Sequence, residues 1–210
     1  MPLYTLAEAA DYLGMPASTL RYWARPWSGG EPLITTTPVE GRLPSLPFIG
    51  FAEAFVIRAA IKAGVKPTRV RADIAGLKRA FGDIEHALAH RCVWTDGADI
   101  LYRELEDHHE ADLYRGKDGQ RQFRKAVQSQ LQLITYGSDE FAERLSIPRY
   151  GAAVLIDPNV AAGAPLLEHS GARVADLISR YRAGDSPARL AHDYGATVGE
   201  VKEVVKAGAA

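Results

Sequence analysis

The hydrophobic positions near the amino terminus predict two short helices joined by a tight turn. One apolar face recurs at i, i+3, i+4 and i+7, and it consists of Leu6, Ala9, Ala10 and Leu13. Thr5 and Glu8 stand at capping-box spacing before it. Gly14 permits the left-handed turn that ends a helix, and Pro16 suits the start of the next one. Residues 5–25 therefore predict a helix-turn-helix unit.

The second helix of this unit divides into an inward and an outward face. Leu20, Trp23 and Ala24 can face the first helix. A short helix of this kind fits the major groove of DNA, where hydroxyl, phenol and guanidinium groups suit phosphates and base edges. A helical hairpin can also carry such side chains without touching DNA. The outward residues, and hence the predicted DNA contacts, are Ser18, Thr19, Arg21, Tyr22 and Arg25.

The pattern at the carboxyl end predicts a second helical unit, which short strands precede. An apolar strand over 152–156 stops at Asp157-Pro158, and residues 166–168 can pair with it. Three helices follow, and the last two begin at Ser186 and Thr197 with a turn at Gly195 between them. Their predicted inward residues are Val174, Leu177, Ile178, Tyr181, Leu190, Ala191, Tyr194, Val198, Val201 and Val205.

Residues 83–150 carry the weakest pattern. The segment 92–105 looks like a β-hairpin that turns at Asp96-Gly97. Apolar spacing from Phe123 to Ile134 fits a helix, whereas residues 130–134 alternate like a strand, so both interpretations stay open.

Composition bounds the class of protein. The chain has 210 residues, of which 47% are hydrophobic and 24% charged, an ordinary globular balance. Its one cysteine, Cys92, excludes an internal disulfide and suits a reducing cytosol. The amino terminus lacks the pattern of a signal peptide, and no apolar run approaches the ~20 residues that span a bilayer. We therefore expect a cytoplasmic protein without a membrane segment.

Charge is segregated along the chain although the formal net charge is only -1. Residues 58–79 are strongly basic, residues 83–112 are acidic, and residues 115–125 are basic again. A nucleic-acid-binding protein needs a local basic face rather than a basic total. Each run taken alone is also typical of a solvated surface.

Candidate metal and catalytic chemistry is weak. His90, Cys92, His108 and His109 lack the spacing of a zinc site. The acidic residues between 104 and 112 could hold a divalent cation in a nuclease, but no ion-loop glycine accompanies them. The chain shows no recognisable catalytic set and no phosphate-binding glycine loop. We therefore expect no enzyme, no metal and no cofactor; the nuclease alternative would require Mg²⁺-dependent turnover.

The stretch TLAEAADYLGMPASTLRYWAR, residues 5–25, resembles the winged-helix DNA-binding head of the MerR family. The recognition helix of that family typically carries a Thr-Leu-Arg-Tyr run, which STLRYW matches. The resemblance implies a wing hairpin over 32–44, two helices over 50–82, base contacts from Arg21 and Tyr22, and a phosphate contact from Arg42. The chain departs from the pattern at PWSGGE, which replaces a short link, and it lacks the long dimerisation helix and cysteine effector loop of a sensor.

The stretch that begins VLIDPNVAAGAP and ends at Val205 resembles a small bacterial antitoxin-like domain long filed as a domain of unknown function. Ile156-Asp157-Pro158, Gly163-Ala164-Pro165 and Gly184-Asp185-Ser186 match its pattern in order. Gly171-Ala172-Arg173 stands where the family has Gly-Thr-Arg. Such domains are often VapB-type antitoxins that are encoded beside a toxin with a PIN-like ribonuclease fold.

The two resemblances together imply a type II antitoxin that binds operator DNA for autoregulation and neutralises a PIN-like ribonuclease toxin. Because PIN-type toxins hold Mg²⁺ with carboxylates, an inhibitor can place an arginine among them, and Arg149, Arg173 and Arg182 are the candidates. A homodimer is expected because one short helix reads few bases. The strand over 152–156 could pair between protomers. The alternative function is a stand-alone transcription regulator without a toxin.

The predicted fold class is mainly α with small β elements. Residues 1–82 form a MerR-like winged helix-turn-helix domain, and residues 83–150 a mixed α/β connecting region. Residues 151–210 form an antitoxin-like domain with three helices in a helix-turn-helix-like arrangement, preceded by short strands.

Overall fold

A computed structural model describes residues 1–27, 30–38, 45–82, 84–93, 97–100, 119–151 and 153–208, with the backbone alone for 119–123. Helices predominate among these residues, and the strands are short, which confirms the predicted fold class. Within the described ranges, no helix combines the length and the apolar character that crossing a bilayer requires.

The amino-terminal part is a helix-turn-helix unit followed by two longer helices. A short strand that was not predicted precedes it and pairs antiparallel with a second one 40 residues later. The elements are β1 (Pro2–Tyr4), α1 (Leu6–Leu13), α2 (Ala17–Trp23), β2 (Leu46–Pro47), α3 (Phe48–Lys62) and α4 (Val70–Ala80).

The predicted caps of this unit are present. The Glu8 amide donates to Thr5 Oγ1 at 3.2 Å, and the Thr5 amide donates to the Glu8 carboxylate at 2.8 Å, which is a capping box. Gly14 ends α1 at φ 60°, in the left-handed region that favours glycine. These two devices fix the beginning of α1 and the turn into α2.

The helix α3 is the centre of the fold. Nearly all of its residues are buried, and the hydrophobic core runs continuously from Tyr4 in β1 to Val205 near the carboxyl end. It packs against α5 (Gly119–Leu131) and against the sheet that follows. Its burial on several sides explains why its hydrophobic residues show no narrow stripe.

The connecting region resolves one open alternative and overturns one prediction. The helix α5 ends at Leu131 and β3 (Ile134–Tyr136) begins three residues later, so a helix and a strand share the ambiguous segment. The predicted hairpin over 92–105 is wrong where it is described, because residues 97–100 are helical. Val93 and Ala98 are both buried in the core, and a helical path allows this where an alternating strand would expose one of them.

A four-stranded antiparallel sheet follows in the order β3-β4-β5-β6, in which β4 is Ala142–Ser146, β5 is Val154–Ile156 and β6 is Leu166–Leu167. The strand β5 pairs with β4 on one edge and β6 on the other. The prediction that residues 152–156 pair between protomers is therefore wrong, since both edges are occupied within the chain. The sheet also crosses residue 150, where the sequence predicted a domain boundary.

Three helices complete the chain, namely α6 (Val174–Arg182), α7 (Pro187–Tyr194) and α8 (Val198–Ala207). The cap at Ser186, the left-handed Gly195 and the Thr197–Glu200 capping box are all as predicted. The inward face of α8 differs, because Val204 is buried whereas Val198 is 40% exposed. Tyr181, also predicted inward, is 43% exposed. Both exposed residues occupy helix ends, where fewer neighbours cover a side chain.

The amino-terminal unit is fastened to the carboxyl-terminal part at two points. Tyr4 is buried against Gly163, where a Cβ would lie only 2.2 Å from the phenol oxygen. Arg149 Nη1 lies 2.6 Å from Asp11 Oδ1 and also donates to the Asp11 carbonyl at the end of α1. Burial raises the pKa of the Tyr4 phenol. The helix-turn-helix unit is therefore part of one packed body.

Candidate nucleic-acid interface

The outward face of α2 is accessible in the structure. Leu20 and Trp23 are fully buried against α1 and the core, whereas Tyr22 remains 52% exposed. Ser18, Arg21 and Arg25 are exposed as well, and Thr19 is half-buried. The predicted division of the helix into two faces is therefore the observed one. Hydroxyl, phenol and guanidinium groups therefore share one accessible surface, and the major groove of DNA admits a single α-helix.

Arg71 lies beneath this face, although it belongs to the basic run over 58–79, which is typical of a solvated surface. Arg71 in α4 is only 5% exposed. Its guanidinium donates to the Tyr22 carbonyl and, at 3.3 Å, to the Arg25 carbonyl. Its carbon Cζ lies 4.0 Å from the centre of the Tyr22 ring. A helical projection of α4 could have found it, because Arg71 precedes the buried Ile74 by three residues.

A groove of about 300 Å³ runs beside α2, between Tyr22 and the turn that joins α3 to α4. Near it, at the carboxyl end of α3, Arg58 and Lys62 stand one helical turn apart. Burial and the positive charge of Arg58 lower the pKa of the Lys62 ammonium. Like charges at this spacing destabilise a helix unless an anion relieves them. Arg58 and Lys62 therefore bring two positive charges close together at the end of α3.

The predicted wing hairpin over 32–44 is described only at residues 32–38, and no strand is present among these. Leu33 and Ile34 form a bend, and the rest of residues 32–38 has irregular backbone. Instead, the Leu33 amide donates to the Trp23 carbonyl at 2.9 Å, and the Thr37 amide closes the base of a loop on the Ser45 carbonyl at 2.8 Å. Arg42, the predicted wing contact, lies outside the described residues.

The root of this segment is held by a buried carboxylate. Glu53 in α3 is 1% exposed and accepts a hydrogen bond from the Thr35 amide at 2.5 Å. His86 Nδ1 lies 3.5 Å from the same carboxylate and 2.9 Å from Thr35 Oγ1. Gly50 is required here, because a Cβ would lie 2.1 Å from the Thr35 carbonyl oxygen. None of these residues stood out in the sequence.

Of the three predicted toxin contacts, two line the same cleft and the third lies elsewhere. Arg149 and Arg182 line one cleft of about 430 Å³ between α1, Tyr150 and α6. Arg149 is paired with Asp11, and Arg182 donates to the Gly208 carbonyl at 2.7 Å. Burial raises the pKa of Tyr150, on the wall of the cleft, to about 12. Arg173 is exposed at the start of α6 and does not line it.

Two family models match the two ends of the chain. Residues 2–74 match a family described as "Putative DNA-binding HTH domain". Residues 154–206 match a "Protein of unknown function (DUF433)". Over its whole length, the chain is 38% identical to the "Putative antitoxin VapB45" of Mycobacterium tuberculosis and covers 95% of that protein. The chain belongs to the family of VapB45.

A solved structure supports this membership. The chain is similar to the crystal structure of Rv2018 from Mycobacterium tuberculosis with a TM-score of 0.77 and 35% identity, over 98% of this chain and 97% of the other. Membership in the VapB45 family confirms the predicted antitoxin resemblance and the helix-turn-helix domain. The MerR-like assignment of that domain stays a prediction.

In the carboxyl-terminal unit of this VapB45-family chain, two of the arginines, Arg180 and Arg189, are paired with aspartates. Arg180 donates to Asp185 and to Asp193, each at 2.7 Å, which raises the pKa of its guanidinium. Arg189 lies 3.6 Å from Asp185. The exposed side chains of α8 mix both signs, since Glu203 stands between Lys202 and Lys206. This unit therefore offers no basic face comparable to that of α2.

Enzymatic chemistry gains no support from the part of the chain that the structure describes. Within it, no three His, Cys, Asp or Glu side chains are grouped to hold a metal ion. The acids between 104 and 112, on which the nuclease alternative depends, lie outside the described residues. The family names point instead to a regulator that is not an enzyme.

Proposed function

We propose that this protein is the antitoxin of a type II toxin–antitoxin module. Its helix-turn-helix unit binds operator DNA and regulates its own operon, and a surface elsewhere on the chain neutralises a PIN-like ribonuclease toxin. The observation that carries the proposal is the accessible face of α2, with Tyr22 52% exposed, in a chain similar over its full length to VapB45.

DNA recognition is assigned to α2 and its surroundings. Arg21 and Tyr22 contact base edges, and Ser18, Thr19 and Arg25 contact bases or phosphates from the same face. Lys62 contributes a phosphate contact from the end of α3, where an anion relieves its repulsion with Arg58. In this proposal Arg42 adds a phosphate contact from the wing.

A homodimer is part of the proposal. The helix α2 has only seven residues and therefore spans few base pairs. Two copies related by a two-fold axis would read half-sites about one helical turn of DNA apart and double the contacts. The partner surface is not β5, because both its edges are paired.

Toxin neutralisation is assigned to the cleft that Arg149 and Arg182 share. A PIN-like toxin binds Mg²⁺ through carboxylates, and a guanidinium offers paired donors that fit a carboxylate. Tyr12 and Tyr150 add aromatic walls to the cleft, which suits a protein partner. Arg173 is a separate candidate at the start of α6, and its contribution is tested by the ribonuclease assay described below.

The test has a toxin arm and a DNA arm. The full chain is co-expressed with the product of the neighbouring reading frame, and the ribonuclease activity of that product is compared between the purified complex and the product alone. A duplex selected by the wild-type chain from a randomised library, here called the selected duplex, then serves for binding. Co-purification, inhibition and selection support the proposal. Selection without a toxin partner would instead establish a stand-alone regulator.

A further inference from the structure

We propose that α4 fixes the position of α2 relative to the wing segment, and that Arg71 sets base-sequence specificity by holding Tyr22 in place. The inference rests on the proposed DNA binding by α2. It makes Arg71 a positioning residue, because its guanidinium lies beneath the DNA-facing surface rather than on it.

The first support is the set of contacts that one guanidinium makes. Carbonyl groups at the end of a helix lack partners within the helix. Arg71 donates to one of them, from Tyr22, and to the carbonyl of Arg25, two residues after the helix ends, and so fixes the end of α2. The same group lies 4.0 Å from the centre of the Tyr22 ring, a distance that favours a cation–π interaction. Arg71 therefore restrains both the backbone and the side chain of Tyr22.

The second support is the free-energy cost of placing Arg71 there. A cation that is 95% buried loses its hydration, since its exposed fraction is only 5%. Its Nε and Nη1 have no hydrogen-bond partner within the described part of the chain. Such an arrangement costs stability that an apolar residue would not. A lysine could keep the charge but not the planar fork that reaches two carbonyls and a ring.

The third support is a contact of Lys78, which lies two turns after Arg71 in α4. Lys78 Nζ donates to the Leu33 carbonyl at 2.9 Å, and the Leu33 amide donates to the Trp23 carbonyl, also at 2.9 Å. One helix thus holds the last turn of α2 through Arg71 and the start of the wing segment through Lys78. Because Arg71 and Lys78 lie on the same helix, the distance between them sets the distance between α2 and the start of the wing segment.

The link between α2 and the wing joins this arrangement. Within the sequence PWSGGE, Trp27 and Gly30 exchange two backbone hydrogen bonds of 3.1 Å. The Trp27 indole lies within 5.5 Å of the Arg71 guanidinium. The segment that departs from the MerR-like pattern therefore supplies a second aromatic contact to Arg71.

The decisive experiment compares full-length wild type with Arg71→Lys on the selected duplex and on a shuffled duplex of the same composition. We expect about tenfold weaker binding to the selected duplex, because Tyr22 loses its fixed orientation. Binding to the shuffled duplex and the salt dependence should stay unchanged, because Arg71 contacts no phosphate and the charge is kept. Equal losses on both duplexes, or an unchanged ratio, would overturn the inference.

A second pair of variants keeps the test valid if Arg71→Lys does not fold. Lys78→Met removes the hydrogen bond to the Leu33 carbonyl, and Arg79→Met removes one exposed charge from the next position of the same helix. We expect Lys78→Met to lower the ratio of selected to shuffled binding about fivefold and Arg79→Met to leave it unchanged. Equal ratios for the two variants would overturn the role of α4. If the wild-type chain selects no duplex, DNA binding itself fails and this inference with it.

Discussion

The two helix-turn-helix units at the ends of the chain are built from the same devices but present different surfaces. Each has a Thr–Glu capping box, at Thr5 and at Thr197, and each has a left-handed glycine, Gly14 or Gly195, that ends a helix. The front unit exposes Arg21 and Tyr22 on its second helix and Arg25 two residues after the helix ends. The back unit exposes lysines interleaved with Glu203 on its second helix.

Under the proposed function, this difference in exposed side chains decides which of the two units binds DNA. What separates the units is the treatment of their arginines. In the back unit Arg180 is bound to two aspartates on the surface, which satisfies its charge within the protein. Behind the front unit, the buried Arg71 of α4 contacts the end of the second helix and leaves its outward residues exposed. We therefore expect DNA to distinguish the two ends clearly.

The largest expected effect is the loss of a base contact in the front unit. Arg21→Ala should weaken binding to the selected duplex by about 1–3 kcal/mol, because a guanidinium that reads a base loses both donors. Its matched control is Lys202→Ala on α8, which removes one exposed charge from the back unit and should change the affinity little. Fluorescence anisotropy with labelled duplex measures both, and equal losses would contradict the comparison.

The next largest effect is expected for the two left-handed glycines, Gly14 at the end of α1 and Gly195 at the end of α7. Gly14→Ala and Gly195→Ala each force a Cβ into the left-handed region, at about 1–2 kcal/mol. At Gly14 the new methyl would also lie 3.5 Å from Arg149 Cδ and Arg58 Nη2, whereas Gly195 has open space. Both variants should lower the free energy of unfolding by similar amounts in urea denaturation. Only Gly14→Ala should also alter DNA affinity, because Gly14 lies in the turn that leads into α2. An equal change in DNA affinity for both variants would contradict this distinction.

A smaller effect concerns the cap of α8. Thr197→Ala should cost about 1 kcal/mol of stability at neutral pH. Hydrogen bonds from Thr197 lower the pKa of Glu200, so they stabilise the fold above the ordinary carboxyl pKa and are lost as the pH falls through the lowered one. The variant keeps the backbone hydrogen bond, which is the largest cause of the lowered pKa, and loses that of the hydroxyl, so its loss of unfolding free energy in acid should become partly shallower. Thr5→Ala is the matched change in the front unit, and an acid dependence of Thr197→Ala like that of wild type would refute the assignment.

The smallest effect is that of a single phosphate contact. Lys62→Ala should weaken binding to selected and shuffled duplexes by the same few-fold factor and reduce the salt slope by about one. Lys206→Ala on α8 is the control and should leave the slope unchanged. A change in the ratio between the two duplexes would show that Lys62 reads sequence instead.

Local signals in the sequence sufficed for much of the fold. Capping boxes, left-handed glycines and apolar spacing act over a few residues, so α1, α2, α7 and α8 were predictable from them. The strand β1 was not, because its partner β2 lies about 40 residues away and its sequence is only Pro2–Tyr4. The segment 97–100 failed for a related reason, since burial of Val93 and Ala98 outweighs the turn signal of Asp96-Gly97.

The candidate site was predictable only in its outer layer. Outward residues of an amphipathic helix can be read from spacing, and Ser18, Arg21, Tyr22 and Arg25 are exposed as expected. Arg71 and Glu53 could not be assigned in the same way, because a buried charge is chosen by tertiary partners that the sequence does not display. Their partners, Tyr22 and Thr35, lie 49 and 18 residues away.

Mapping where DNA contacts the chain tests most directly whether α2 recognises DNA. The wild-type protein is photocrosslinked to a bromodeoxyuridine-substituted selected duplex, and the attached peptides are identified by mass spectrometry. Each helix-turn-helix unit carries a tyrosine, Tyr22 in front and Tyr194 at the back, so chemistry alone does not favour one end. We expect attachment at Tyr22 and its neighbours in α2. Attachment at Tyr194 or along α8, with α2 unmodified, would contradict the assignment of DNA recognition to the front unit.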